Sequence, residues 1–264
     1  MGTGEQSQLC QQIVEIGLSL IEAGLVTGTA GNISARSPGE SMAFITPSGR
    51  DYHLLTERDM VRIDIGSGAV DGRWKPSSEW RLHVAIYQRR SDVNAVIHHH
   101  AVWASSVATA RKTIPVLIDE AADIGPITTA PYAPSGSPEL ADVVSEALTQ
   151  GTNAVLLANH GAVAVGRDLG EAFRRALDVE RLAKIYIAAT LLGGAHPLDE
   201  GAVTRSQEFL AAYRAEVREH QFPPVTAPRI MGPVSLQDLV RYSFKSGLTF
   251  ASLLYALVYQ RLQR

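Results

Sequence analysis

Residues 76–103, PSSEWRLHVAIYQRRSDVNAVIHHHAVW, set the frame for the rest of the chain. Asn94-Ala95-Val96-Ile97 is a short, β-leaning run bounded by Asp92 on its polar side, and it reads as a buried strand. Side chains alternate along a strand, so His98 and His100 share one face and His99 points to the other. Two imidazoles at i and i+2 can grip one metal ion from the same side. Three histidines at a strand end can equally be ordinary hydrogen-bonded residues, and the spacing alone does not choose. Upstream, Ser77-Ser78 predicts an N-cap, with Glu79 in the first turn of a helix running to about Arg89.

Working outward, Leu9, Ile13, Ile16 and Leu20 recur at helical spacing, and Gly24 ends that pattern. Thr27 to Ser34 (TGTAGNIS) is a loop of small residues entering a strand, where glycines let the backbone approach an anion closely, although a simple tight turn explains it as well. Thr46-Pro47-Ser48-Gly49 forms a second small turn, after Phe44-Ile45. Val61, Ile63 and Ile65 alternate as in a half-buried strand. Ser77-Ser78 is a third small-polar site, at a helix N-terminus that favours a bound phosphate, although capping explains the serines equally well. Beyond the histidines, Trp103 to Ala110 predicts a short helix and Ile114 to Leu117 a strand, followed by Asp119, Glu120 and Asp123. A helix over Pro138–Leu148 precedes the buried strand Ala154–Leu157, which ends in Asn159-His160-Gly161. A histidine there is a natural third ligand from a neighbouring strand. Helices are expected over Leu169 to about Leu192, over 199–218, and over Leu236–Gln263 after a proline-bearing linker. The last is amphipathic, a packing or oligomer-contact element.

The chain has 264 residues, 45% of them hydrophobic, enough for one large core or two modest ones. A net charge of -3 and a pI of about 6.2 give no nucleic-acid surface. Cys10 is the single cysteine, which excludes an intrachain disulfide and agrees with a reducing compartment. The N-terminal MGTGEQSQLCQQ lacks the pattern of a secretory signal, and the apolar stretch Gly247–Tyr259 is too short to span a bilayer. A soluble, cytoplasmic protein with no membrane partner is expected.

Five segments, in this order and spacing, carry a resemblance: GTAGN at 28–32, ITPSG at 45–49, PSSEWRLH at 76–83, VIHHHAV at 96–102 and NHG at 159–161. The chain resembles the class II aldolase/adducin family, most closely its zinc-dependent L-fuculose-1-phosphate aldolases, from the first helix to about residue 215. The resemblance implies a three-layer α/β/α sandwich with a mixed, largely antiparallel sheet over residues 1–220, leaving 221–264 as a linker and C-terminal amphipathic helix. It implies a homotetramer with sites at subunit interfaces. It makes His98, His100 and His160 ligands of Zn2+, with Co2+ or Mn2+ also suited to such a set. Glu79 becomes the carboxylate that approaches the metal and serves as the base. Gly31, Asn32, Ser48, Gly49, Ser77 and Ser78 would hold the substrate phosphate.

The implied reaction cleaves a phosphorylated ketose to dihydroxyacetone phosphate and an aldehyde through a zinc-stabilised enediolate. The aldolases carry a proton-donating tyrosine shortly after the Ile-Pro strand, where this sequence has Asp119. The related 4-epimerases use an aspartate a few residues later, near Asp123, but have aspartate where this chain has Glu79. Tyr213 is the nearest counterpart of a second family tyrosine. A sugar-phosphate 4-epimerase and a sugar-acid-phosphate decarboxylase are the alternative enzymes, and the adducin head is the non-catalytic one. Retention of Glu79, His98, His100 and His160 argues for an enzyme.

Overall fold

The computed structural model describes residues 3–219, so the expected helix over 236–263 lies outside the described residues. The chain divides into two compact units, residues 1–212 and 213–264. The boundary expected after residue 220 falls where the described residues end. No helix among them is long and apolar enough to cross a membrane.

The apolar periodicity of the N-terminal segment becomes α1 (Thr3–Glu22), after which Gly24 turns the chain at φ 69°. Then follow β1 (Asn32–Arg36), β2 (Met42–Ile45), β3 (Val61–Asp64), β4 (Val70–Asp71), α2 (Trp80–Arg89), β5 (Ala95–His99) and α3 (Val102–Thr109). The second half adds β6 (Thr129–Ala130), α4 (Pro138–Ala147), β7 (Ala154–Leu157), β8 (Gly161–Gly166), α5 (Leu169–Leu191) and α6 (Glu200–Glu219). The strands form one eight-stranded sheet in the order β4-β3-β2-β1-β5-β8-β7-β6. Only the β6–β7 pairing is parallel among the described residues. β5 lies centrally between β1 and β8, which makes its end a well-supported place for a site.

Alternation along the strands gives the sheet two apolar faces. Ile33, Ala95, Ile97, Leu156, Ala162 and Ala164 face α1, α3 and α5, while Val96, Val155, Leu157, Val163 and Val165 face α2 and α4. The result is the three-layer α/β/α sandwich expected from the sequence, with the sheet largely antiparallel. The same alternation puts His98, two residues after Val96, on the α2/α4 side. Every residue of β5 is buried, and complete burial of a valine or isoleucine contributes about 1.5–3 kcal/mol.

Two local expectations are corrected. Ile114–Leu117 is not a strand: only Ile114 pairs, in an isolated bridge to Ile127, because Pro115 has no N–H to continue a ladder. Helix α2 begins at Trp80, with no side-chain cap. Glu79 stands at the cap position, and Ser77 contributes its carbonyl to Trp80 N–H and its Oγ to Glu79 N–H. The Glu79 carboxylate is engaged elsewhere. Strand β8 was not anticipated, although its GAVAVG run has no charge and buries all six residues.

Candidate metal centre

The antiparallel register His98↔Val163 and His99↔Ala162 brings the β7–β8 turn to the end of β5 where His100 emerges. In that turn Asn159 takes a left-handed φ of 56°, a conformation asparagine tolerates, and His160 N–H closes it onto the Leu157 carbonyl at 3.0 Å. Gly161 is needed for a steric reason. A Cβ there would lie 2.3 Å from the His99 carbonyl oxygen and 2.9 Å from His100 Cδ2. Gly161→Ala must therefore push the turn off β5 and move both His100 and His160. The expected cost is about 1–3 kcal/mol of stability from overpacking and a 10–100-fold weaker hold on a divalent ion, by analogy with lost orienting contacts. Denaturant melts and chelator competition measure the two separately.

Glu79, His98, His100 and His160 each offer a ligand atom, and these atoms all lie within 4.8 Å of one another, a group that could hold a metal ion. His98 is the hub. Its Nε2 is 2.8 Å from His100 Nε2 and 2.9 Å from Glu79 Oε2, while His160 Nε2 is 3.3 Å from Glu79 Oε1. Ligand atoms around one zinc ion stand about 3.3 Å apart at Zn–N distances near 2.0–2.1 Å. The hydrogen bonding also fits a cation. His98 Nδ1–H donates to the Ala162 carbonyl at 2.9 Å, which leaves a lone pair on Nε2 facing the carboxylate. Two acceptors at that separation need a proton or a metal ion between them.

Glu79 is buried and accepts further hydrogen bonds from Ser135 Oγ at 2.8 Å and Asn32 Nδ2 at 3.2 Å. Burial alone would raise its pKa, but His98, His160 and the Ser135 hydrogen bond outweigh that and hold the carboxyl well below the usual range. Burial, with His98 and His160 close by, pushes the His100 imidazole down to about 4. Burial, with His98, likewise lowers His160. At neutral pH these two rings are neutral, the state a metal ligand requires.

The three small-residue loops converge beside this group. Thr46 Oγ1 accepts from Ile33 N–H at 3.2 Å, and the Thr46 carbonyl accepts from Ser77 N–H at 3.0 Å. Ser48 N–H reaches the Lys75 carbonyl at 3.0 Å, and Pro47 bridges Pro76. Ser48, Gly49 and Ser78 are exposed, Gly31 is half-buried, and Ser77 and Asn32 are buried. Gly31, at φ 75°, passes so near β5 that a Cβ would lie 2.7 Å from the His98 carbonyl oxygen. The Asn32 amide is engaged on both ends, by Glu79 and by His83.

Sequence reasoning missed several neighbours. Ser135 lies in the loop before α4, and Gly136 beside it approaches the Ser78 carbonyl closely. His83, Ser34 and Tyr87 went unnoticed, although Glu79, His83 and Tyr87 at i, i+4 and i+8 form a polar stripe on a buried helix face. Asp119 is not joined to the metal group within this chain. It is exposed, and its Oδ1 accepts from Ser206 Oγ at 2.8 Å. Asp123 pairs with Arg174 at 2.9 Å, and Tyr213 is 55% exposed.

Residues 11–187 match the Class II Aldolase and Adducin N-terminal domain. The L-fuculose phosphate aldolase of Escherichia coli (strain K12) is 41% identical over 185 residues, covering 69% of this chain and 84% of that protein. A 5-methylthioribulose-1-phosphate/5-deoxyribulose-1-phosphate aldolase of Escherichia coli O45:K1 is 37% identical over 194 residues, 73% and 88% of the two chains. Among solved structures, an L-fuculose 1-phosphate aldolase superposes with a TM-score of 0.74 at 36% identity, covering 78% of this chain and 97% of that one. With the sandwich, the convergent histidines and these likenesses together, this chain belongs to the class II aldolase and adducin family, on its aldolase side.

Proposed function

We propose that this chain cleaves a phosphorylated ketose of the L-fuculose 1-phosphate type to dihydroxyacetone phosphate and an aldehyde. In this reading His98, His100, His160 and Glu79 hold one Zn2+ per chain, a role Co2+ or Mn2+ could also fill. It works in the cytoplasm as a homotetramer with its sites at subunit interfaces. The observation that carries the reading is the convergence of three imidazoles and one carboxylate beside the three small-residue loops. A divalent ion so held supplies Lewis-acid stabilisation of the negative charge that develops when a C–C bond breaks beside a carbonyl.

The chain's residues supply the rest. Gly31, Asn32, Ser48, Gly49, Ser77 and Ser78 hold the substrate phosphate and so orient the reacting carbons. Glu79, kept ionised, is the base that moves a proton on or off the carbon beside the carbonyl. Asp119 takes the place of the aldolases' tyrosine at a neighbouring subunit's site: in cleavage it accepts the proton of the hydroxyl whose carbon leaves as the aldehyde, and in condensation it donates that proton back to the aldehyde oxygen. A panel of sugar 1-phosphates, with and without added zinc, tests the proposal by release of dihydroxyacetone phosphate. Metal-dependent release from at least one of them is expected, and its absence across the panel sinks the reading. In the same assay Asp119→Asn should keep deuterium exchange beside the ketone and lose cleavage; unchanged cleavage would remove Asp119 from the scheme.

A further inference from the structure

Behind Glu79 lies a buried chain of hydrogen bonds whose direction chemistry alone determines. The helix stripe Glu79, His83, Tyr87 meshes with the strand pair Asn32 and Ser34, which share one face of β1. The contacts alternate between the two elements. Tyr87 Oη lies 2.7 Å from Ser34 Oγ, Ser34 Oγ 2.6 Å from His83 Nδ1, His83 Nε2 2.5 Å from Asn32 Oδ1, and Asn32 Nδ2 3.2 Å from Glu79 Oε2. All five residues are buried.

An ionised carboxylate only accepts, so Asn32 must present its NH2 to Glu79 and its carbonyl to His83. His83 must then carry its proton on Nε2, which leaves Nδ1 an acceptor. Ser34 therefore donates to Nδ1 and accepts from Tyr87, whose phenol stays protonated because burial raises its pKa. Burial, with His98 nearby, lowers His83 to about 3, against an opposing pull from Glu79, so the ring is neutral at working pH. Every proton in the chain points toward the carboxylate. An Asn32 amide flipped by 180° would set oxygen against oxygen at Glu79 and hydrogen against hydrogen at His83.

We propose that His83 is a positioning residue: its Nε2–H tautomer, fixed by Ser34 and Tyr87, locks the Asn32 amide so that it holds Glu79 in the orientation the proton transfer requires. This rests on the reading of Glu79 as the base. His83 reaches Glu79 through Asn32.

The test combines spectroscopy and kinetics. In metal-free wild-type protein, 15N correlation spectra of labelled histidine should show a single Nε2–H tautomer for His83, a signal identified by its loss in His83→Gln. Ser34→Ala should populate both tautomers. His83→Leu should lower kcat by about 10–100-fold, the scale of lost orienting contacts, with metal content unchanged; because Asn32 also belongs to the proposed phosphate site, KM should rise too, but by a smaller factor than kcat falls. His83→Gln should recover most of that loss, because its amide N–H can still donate to Asn32 Oδ1. An Nδ1–H tautomer in the wild type, full kcat in His83→Leu, or a loss confined to KM would overturn the proposal. So would His83→Gln as impaired as His83→Leu. Should His83→Leu fail to fold, the tautomer spectra and the Ser34→Ala and His83→Gln rates decide. If the wild type processes no sugar phosphate, the aldolase reading falls, and the tautomer result still stands or fails by itself.

Discussion

Glu79→Gln is expected to keep its divalent ion and lose about 10²–10⁴-fold in kcat, the usual contribution of a positioned acid–base group. That range corresponds to about 2.7–5.4 kcal/mol of transition-state stabilisation. Two roles compete for this side chain. As a ligand it would be missed in metal binding; as a base it would be missed only in turnover. The proposed reading favours the second. Three imidazoles stand beside the carboxylate, and three histidines can form a sufficient zinc set by themselves. The carboxylate is also held by Ser135 and Asn32, which can keep a glutamine side chain in nearly the same place. Glutamine matches the shape and removes the charge and the basicity, so the fold should be little disturbed. Metal analysis of the purified variant, kcat, and deuterium exchange beside the ketone together decide. A metal-free variant would make Glu79 chiefly a ligand, and a fully active one would remove it from the chemistry.

How much of this could be read from the chain depended on whether the signal was local. β5 and the shared face of His98 and His100 follow from strand alternation, α1 and α5 follow from apolar spacing, and α4 from the proline that opens it. The three small-residue loops were each legible, but their adjacency was not. It is made by the Thr46 contacts to Ile33 and Ser77, which join segments far apart in sequence. The Asn32↔His98 register, which sets Asn32 beside the metal group, is likewise a property of the β1–β5 pairing. Ile114–Leu117 misled because apolar content outweighed the missing donor of Pro115. β8 escaped because alanine, valine and glycine carry little periodicity. The tyrosine-to-aspartate departure at residue 119 was visible, but a single chain does not bring Asp119 to the histidines, so the role proposed for it would need a neighbouring subunit.

The second large effect is expected at the histidines, and His100 is the position that tests them cleanly. His98 is fully buried, and its Nδ1–H satisfies the Ala162 carbonyl, so His98→Ala would open a cavity and orphan a buried acceptor as well as remove a ligand. A destabilised His98→Ala would therefore not distinguish a metal ligand from a core histidine. His100 is exposed, and its ring meets His98 and His160 at centroid distances of 4.7 and 5.0 Å. Removing it leaves the core intact and takes one imidazole from the group. We expect His100→Ala to fold normally, to fall from about one divalent ion per chain to roughly a tenth or less, and to lose metal-dependent turnover with it. The stability readout is independent of activity. An ion present at 100 times its dissociation constant stabilises the native state by about 2.7 kcal/mol. Chelation should therefore lower the wild-type melting temperature by about 5–10 °C, using the 2–4 °C per kcal/mol typical of this size. His100→Ala should melt near the chelated wild type and show no further drop with chelator. A variant with full metal content, or one that still responds to chelator as the wild type does, would take His100 out of the ligand set and leave His98, His160 and Glu79 to account for any bound ion.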